Sequence, residues 1–184
     1  MQIIDIHTHI YPDKIARKAT ESVKDFYQLE GSNMDGTVEM LLKRGEEAGI
    51  SRFVVLPVSN TPTHVRSINS FLLSQAQTHD NFIGFGTLHA EMDGLMDEVD
   101  WILENGLHGI KMHPDSQRFA IDDPRLFPVY EALQEKIPVM LHMGDPRYHY
   151  SHPSRLRKVL DLFPRLEVIA AHFGGYSMFH TARE

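Results

Sequence analysis

Two histidines close the first apolar run of the chain, Ile3-Ile4-Asp5-Ile6-His7-Thr8-His9, at a spacing that suits half of a metal site. Successive side chains of a strand point to opposite faces. A strand here therefore puts His7 and His9 on one face, with Thr8 turned away and Asp5 behind them on the same side. Two imidazoles ~6–7 Å apart at a strand end can converge on one divalent ion if the chain curls there. An isolated pair of this kind is equally well a polar strand end with two exposed histidines, so its weight depends on what accompanies it.

The same residue types recur at the ends of later apolar runs. Gly109-Ile110-Lys111-Met112-His113-Pro114 sets Lys111 and His113 two apart and so on one face. Pro138-Val139-Met140-Leu141-His142 ends on His142, and Val168-Ile169-Ala170-Ala171-His172 ends on His172. One such histidine is most simply a core residue bonded to backbone; repetition on a single rim argues against independent chance. Zinc or a similar ion takes neutral imidazole nitrogens, keeps an open position for water and lowers that water's pKa toward ~7. His7, His9 and His142 would supply three ligands. His172 would be another ligand, or the group that moves a proton between water and substrate. Lys111, buried as an isolated ammonium, would be costly. It therefore pairs with an anion, loses its proton or is carbamylated into a carboxylate-like bridge, unless it reaches the rim and stays solvated.

His113, Asp145, Arg147 and Tyr148 are candidate substrate contacts. With His149 and His152, Arg147 and Tyr148 belong to a polar loop that either lines a pocket or is merely solvated. His64, His79, His89, His108 and His180 lack partners at ligand spacing and read as surface or packing residues. Asp97, Glu98, Asp100 and Glu104 read as the solvated face of a helix.

These residues need a scaffold that delivers strand ends to one rim. Short apolar runs alternate with segments of helical period, the signature of βα units around a parallel sheet. Six strands are expected, over Gln2–His7, Arg52–Leu56, Phe82–Gly86, Gly109–Met112, Pro138–His142 and Glu167–Ala171. Most of these runs are too apolar to have a wet face. Apolar stripes at Val65, Ile68, Phe71 and Leu72, at Leu95, Val99, Ile102 and Leu103, and at Leu126, Phe127, Tyr130 and Leu133 mark intervening helices and read as core packing. From the second strand onward the starts recur at roughly 30 residues, the length of one barrel unit. No GxGxxG or GxxxxGK follows the first strand, which favours a barrel over a doubly wound open sheet.

Composition agrees with a soluble globular protein of one domain spanning residues 1–184: 42% hydrophobic, 23% charged, without low-complexity segments. A net charge of −7 argues against capture of nucleic acid or an anionic membrane, leaving a small molecule as the expected partner. The absence of cysteine excludes disulfides and thiolate ligands, so a metal must be held by His, carboxylate or a modified Lys. No apolar segment approaches the ~20 residues of a membrane span or forms a signal sequence, so a cytoplasmic location is expected.

The ordered set Asp5-Ile6-His7-Thr8-His9, Gly109-Ile110-Lys111-Met112-His113-Pro114, His142 and Ala171-His172-Phe173-Gly174-Gly175 resembles the amidohydrolase superfamily. It is most similar to the amidohydrolase-2 branch of metal-dependent hydrolases, which includes nonoxidative decarboxylases related to aminocarboxymuconate-semialdehyde decarboxylase. The resemblance covers nearly all of the chain. It implies a distorted (β/α)8 barrel and metal binding by His7, His9 and His142. It also implies that His172 ligates a second ion or acts as acid and base, and that Lys111 bridges or orients substrate.

The resemblance also implies eight strands and a metal-binding aspartate at the end of the last one. A full barrel takes about 250 residues, so roughly two βα units of an incomplete α/β barrel are expected to be absent, and with them that aspartate. Asp145 is the nearest carboxylate that could substitute, although a loop acid there is more often a turn residue or helix cap. Exposed edges on the first and sixth strands would then be covered by a homo-oligomer, strand exchange or a rearranged C-terminus. Three functions follow. The first is a hydrolase that activates water for attack on an amide, ester or lactone, with zinc, manganese, iron or cobalt. The second is a metal-dependent decarboxylase of an unsaturated or aromatic acid. The third is a non-catalytic metal-binding or interaction protein descended from such an enzyme.

Overall fold

The computed structural model describes residues 2–30 and 35–183. The chain begins with β1 (Ile4–Thr8), two helices, α1 (Asp13–Tyr27) and α2 (Val38–Ala48), and β2 (Arg52–Val55). There follow α3 (Val65–Thr78), β3 (Phe82–Gly84), β4 (Gly86–Thr87), α4 (Leu95–Glu104) and β5 (Ile110–Met112). The remainder comprises the short α5 (Pro114–Gln117), α6 (Phe127–Leu133), β6 (Val139–Leu141), α7 (Pro153–Leu162), β7 (Val168–Ala170) and the short α8 (Phe179–Ala182).

All strand pairs are parallel, in the orders β1-β2-β3 and β4-β5-β6-β7. The two sheets share one chain segment. Phe85 N–H donates to Val55 O at 3.1 Å, while Gly86 N–H donates to Gly109 O at 2.9 Å, so residues 82–87 act as a single stave between β2 and β5. The result is a curved run of six staves in sequence order with helices outside, an incomplete barrel of the expected kind. β1 and β7 end this run, and Ile4 and Ile6 of β1 are 45% and 57% exposed, unlike the dry strands between them.

Register divides the strand residues into two layers. In a parallel pair, register partners point to the same face. Phe53, Val55 and Phe82 pack outward against the apolar sides of α2 and α3. The main core gathers Val99 and Ile102 of α4, Val129, Tyr130 and Leu133 of α6, and Ile110, Met112, Val139 and Leu141 of the strands, all but closed to solvent. Alternate positions form the inner layer, Val54, Leu56, Ile83, Phe85, Met140, Ile169 and Ala171. Lys111 is in register with Met140, and Met140 with Ile169, so Lys111 points inward.

The acidic face read on α4 is only partly solvated. Asp97, Asp100 and Glu104 are exposed, whereas Glu98 is 2% exposed. Its carboxylate accepts from Asn69 Nδ2 at 2.7 Å and Arg66 Nε at 2.6 Å, and Asn69 in turn accepts the Thr87 N–H at 2.7 Å. The periodicity places Glu98 beside Val99 and Ile102; what keeps it buried is a partner on another helix.

Candidate active site

β1 reaches the rim through an irregularity. Asp5 is in register with Phe53 and Thr8 with Val55, so Ile6 and His7 of β1 oppose the single residue Val54 of β2, which is a β-bulge. Asp5 therefore shares the outward face of Phe53. It borders a groove of about 420 Å³ between β1 and α2 that holds none of the site histidines, and its carboxylate accepts the His7 N–H at 3.0 Å. The alternation expected for Asp5, His7 and His9 holds for the two histidines and breaks at Asp5. His9 Nδ1 lies 2.7 Å from Leu56 O, an acceptor only, so Nδ1 carries the proton and Nε2 is left as a free lone pair.

Strand parity brings the others inward. His113 is two residues beyond Lys111, and His142 two beyond Met140, both on the inner face. His172 lies past the end of β7 and has a positive φ of 58°, followed by Phe173 at 54°. Such consecutive left-handed non-glycine residues are strained and persist where surroundings enforce them. Phe173 is 97% exposed, so burial of its ring does not hold the turn. Backbone contacts do. Tyr176 N–H donates to Met143 O at 2.7 Å and Ser177 N–H to Gly144 O at 3.1 Å, joining the loop after β7 to the loop after β6.

Five imidazoles thus form a continuous chain around the rim. Ring centroids lie 5.2 Å apart for His9 and His7, 5.2 Å for His7 and His172, 4.7 Å for His172 and His142, and 3.8 Å for His142 and His113. His172 Nε2 and His142 Nδ1 face each other at 2.9 Å. On the other flank, the ligand atoms of His113, Asp115 and His142 lie within 4.8 Å of one another. The sequence reading singled out neither Asp115 nor Tyr27. The Tyr27 hydroxyl, on the last turn of α1, is 2.6 Å from His113 Nε2 and 3.3 Å from His142 Nδ1. Asp115 directly follows the His113-Pro114 pair, a signal that could have drawn attention; nothing local marks Tyr27.

Burial keeps these imidazoles neutral. His7 and His113 are lowered to about 3 and His9 to about 4, by desolvation first and the Lys111 charge second. His9 keeps an open edge, where water screens the effect more than at His142, which is 1% exposed and also lowered. His172 is lowered for the same two reasons. Lys111 is 1% exposed, its Nζ has no hydrogen-bond partner among the described residues, and burial pushes it down to about 7. Asp115 is raised to about 6 by burial, against hydrogen bonds from Ser151.

This donor set fits a divalent cation: neutral imidazoles, with the nitrogens of His142 and His172 aimed at each other and the His9 Nε2 lone pair free. Among the described residues it also leaves two buried nitrogens without a hydrogen-bond partner, Lys111 Nζ and His142 Nε2.

The remaining candidates meet at the mouth. Asp145 is fully buried and takes the Arg147 guanidinium through both oxygens, with Nη2 to Oδ2 at 2.6 Å. Burial would raise this carboxyl, but the Arg147 contacts outweigh it and hold it below its usual value. Arg147 lies 4.9 Å from the Phe26 ring centroid and 5.4 Å from that of Tyr148, and it donates to Phe26 O at 2.6 Å. Asp145 is thus bound to Arg147 rather than to the histidines. His149 and His152 stack on each other at 4.7 Å, away from the rim, with His149 held by Arg155.

The amidohydrolase family profile matches residues 4–183, which is nearly the whole chain. The chain belongs to the amidohydrolase family. Two solved structures share the fold. One is a dihydroxybenzoic acid decarboxylase from Polaromonas sp. JS666 with bound manganese and the inhibitor 2-nitroresorcinol, with TM-score 0.65, 18% identity, and 91% of this chain and 64% of that one covered. The other is a probable 2-pyrone-4,6-dicarboxylic acid hydrolase from Acinetobacter baumannii with citric acid bound, with TM-score 0.55, 17% identity, and 91% and 57% covered. This amidohydrolase chain therefore spans less than two thirds of either. No curated protein matches it significantly. No helix among the described residues is long and apolar enough to cross a membrane.

Proposed function

We propose that this amidohydrolase chain carries a metal-dependent hydrolytic site that activates water for attack on a small-molecule amide, ester or lactone. The observation that carries the reading is the 2.9 Å approach of His172 Nε2 to His142 Nδ1, with His7 ranged against His172 and His9 against His7. His7, His9 and His142 would hold the ion, zinc first and manganese, iron or cobalt as alternatives. When bound, it polarises a carbonyl oxygen and lowers the pKa of water. The Leu56 carbonyl holds His9 in the tautomer that offers Nε2. His172, at the edge of the group, takes a proton from water at Nε2 and returns it to the leaving group. Lys111, lowered to about 7, offers a hydrogen bond to charge developing on the substrate.

A second reading, loss of carbon dioxide from an unsaturated or aromatic acid, is favoured by the mouth. There Arg147 stands near the faces of Phe26 and Tyr148, a cation beside flat apolar surfaces. The decarboxylase of similar fold is named for such an acid.

Elemental analysis of protein purified without chelator tests both. The expected result is one or two divalent ions per chain, lost in a His7→Ala/His9→Ala variant, with product or carbon dioxide release then separating the two chemistries. Folded protein without bound metal overturns both and leaves a non-catalytic descendant.

A further inference from the structure

We infer that Asp115 is a positioning residue for His142, holding it in the Nε2–H tautomer so that Nδ1 stays free on the rim; the inference rests on the metal-site reading above. His142 is buried between two unlike neighbours. On its Nδ1 side stand His172 Nε2 at 2.9 Å and the Tyr27 hydroxyl at 3.3 Å, both able to donate. On its Nε2 side stands the carboxylate of Asp115, with Oδ2 at 3.8 Å. The Nε2 atom has no hydrogen-bond partner among the described residues. With the proton on Nδ1, a bare lone pair would face a carboxylate in a site closed to water. With the proton on Nε2, the N–H faces the carboxylate, and Nδ1 accepts from either neighbour. At 3.8 Å the contact is longer than a hydrogen bond, and such contacts commonly tighten when the centre is loaded.

Asp115 is held for this task. Its carboxylate accepts the Ser151 N–H at 3.2 Å and the Ser151 hydroxyl, and Ser151 Oγ accepts the Gly144 N–H at 3.0 Å. The loop that follows His142 therefore returns to fix the carboxylate facing it. His113 does not compete for the role. Its ring is stacked on His142 with an interplanar angle of 9°, and an ion shared by both rings would have to lie in two nearly parallel planes. His113 Nδ1 accepts the Ser116 N–H at 3.3 Å, so its Nε2–H points to Tyr27. A carboxylate behind a ligating histidine fixes its tautomer and raises its basicity, and loss of such a partner costs roughly 10–100-fold in metal affinity.

Imidazole nitrogen NMR on the chelator-treated full chain reads the tautomer directly, and calorimetric titration with Zn²⁺ and Mn²⁺ reads affinity. The expected wild-type spectrum shows His142 protonated at Nε2; protonation at Nδ1 overturns the inference. Asp115→Asn should mix the tautomers and weaken metal binding about 10–100-fold, with circular dichroism unchanged. Unchanged tautomer and affinity within twofold would sink the proposal. If Asp115→Asn does not fold, Ser151→Ala, which frees the carboxylate without removing it, should show a smaller shift in the same direction, and no shift overturns the inference. Wild-type protein that takes up no ion overturns the functional reading instead, and the tautomer spectrum still decides the role of Asp115.

Discussion

The Tyr27 hydroxyl accepts from His113 Nε2 at 2.6 Å and reaches His142 Nδ1 at 3.3 Å, so the end of α1 is latched onto the same nitrogen that faces His172. If that nitrogen holds an ion as proposed, it cannot also accept from the hydroxyl. Removing the hydroxyl leaves the His113 N–H without an acceptor and frees His142 Nδ1. Tyr27→Phe should therefore lower the stability of the metal-free protein by about 1 kcal/mol and tighten Zn²⁺ binding. Denaturant melts and calorimetric titration check the two effects. Weaker Zn²⁺ binding in the variant would make the hydroxyl a supporter of the site rather than a competitor.

Gly144 governs the approach of the last two strand ends. Its φ is +71°, and a Cβ there would lie 2.5 Å from Gly175 Cα and 2.9 Å from its carbonyl carbon, backbone that cannot swing aside. Gly144→Ala should cost roughly 2–3 kcal/mol through strain and overpacking. It should also widen the gap between His142 and His172. The test pairs a denaturant melt with metal titration; Gly49→Ala, another left-handed position but with no atom within 4 Å, controls for backbone strain alone.

Asn69 ties α3 to the neighbouring elements, donating to Glu98 and to Thr87 O and accepting the Thr87 N–H. Asn69→Ala strands buried groups on both partners and should destabilise the fold by roughly 2–4 kcal/mol. Thr87 Oγ1 donates to Lys111 O at 2.8 Å, so the loss should also loosen β5, visible as faster amide exchange at Lys111 and Met112. Equal exchange in both proteins would confine the network to the helices.

Stability of the metal-free protein should rise with pH across two windows. Lys111 is pushed from 10.5 to about 7, so between those values the unfolded chain holds the extra proton and raising pH favours the fold. His7 and His9, lowered from 6.5 to about 3 and about 4, act in the same direction below 6.5. Asp115, raised from 3.8 to about 6, opposes them in that lower window. Lys111→Met should flatten the upper window, stabilising the protein more at pH 6.5 than at pH 9.5. Denaturation midpoints at the two pH values read this, and an equal gain at both would mean that Lys111 keeps its proton in the fold throughout that range, as it does in the unfolded chain.

Much of this arrangement was legible in the sequence because it follows from strand parity. The staves at Arg52–Val55, Val139–Leu141 and Val168–Ala170 lie within the expected runs, and the pairings Lys111 with His113 and Met140 with His142 fall on the inner face. What escaped was non-local. The extra residue in β1 that turns Asp5 outward shows only against the register of β2. Glu98 reads as solvated until Asn69 and Arg66 arrive from α3. Tyr27 sits on a helix tip whose position over the rim is set by Arg147, on a loop far along the chain. The left-handed turn at His172 and Phe173 carries no glycine at either position to announce it.

The stacking of His7 on His172 joins the end of the first stave to the end of the last one described. Each helix and its neighbouring stave can form from nearby sequence as it leaves the ribosome, but the rim of imidazoles cannot. Long-range closure of this kind is slow because chain entropy must be lost before the contact forms. Until the β7 end arrives, His7 and His9 stand at an open strand edge without the imidazoles that complete the rim. The order of emergence thus makes the imidazole rim one of the last features of the fold to be completed.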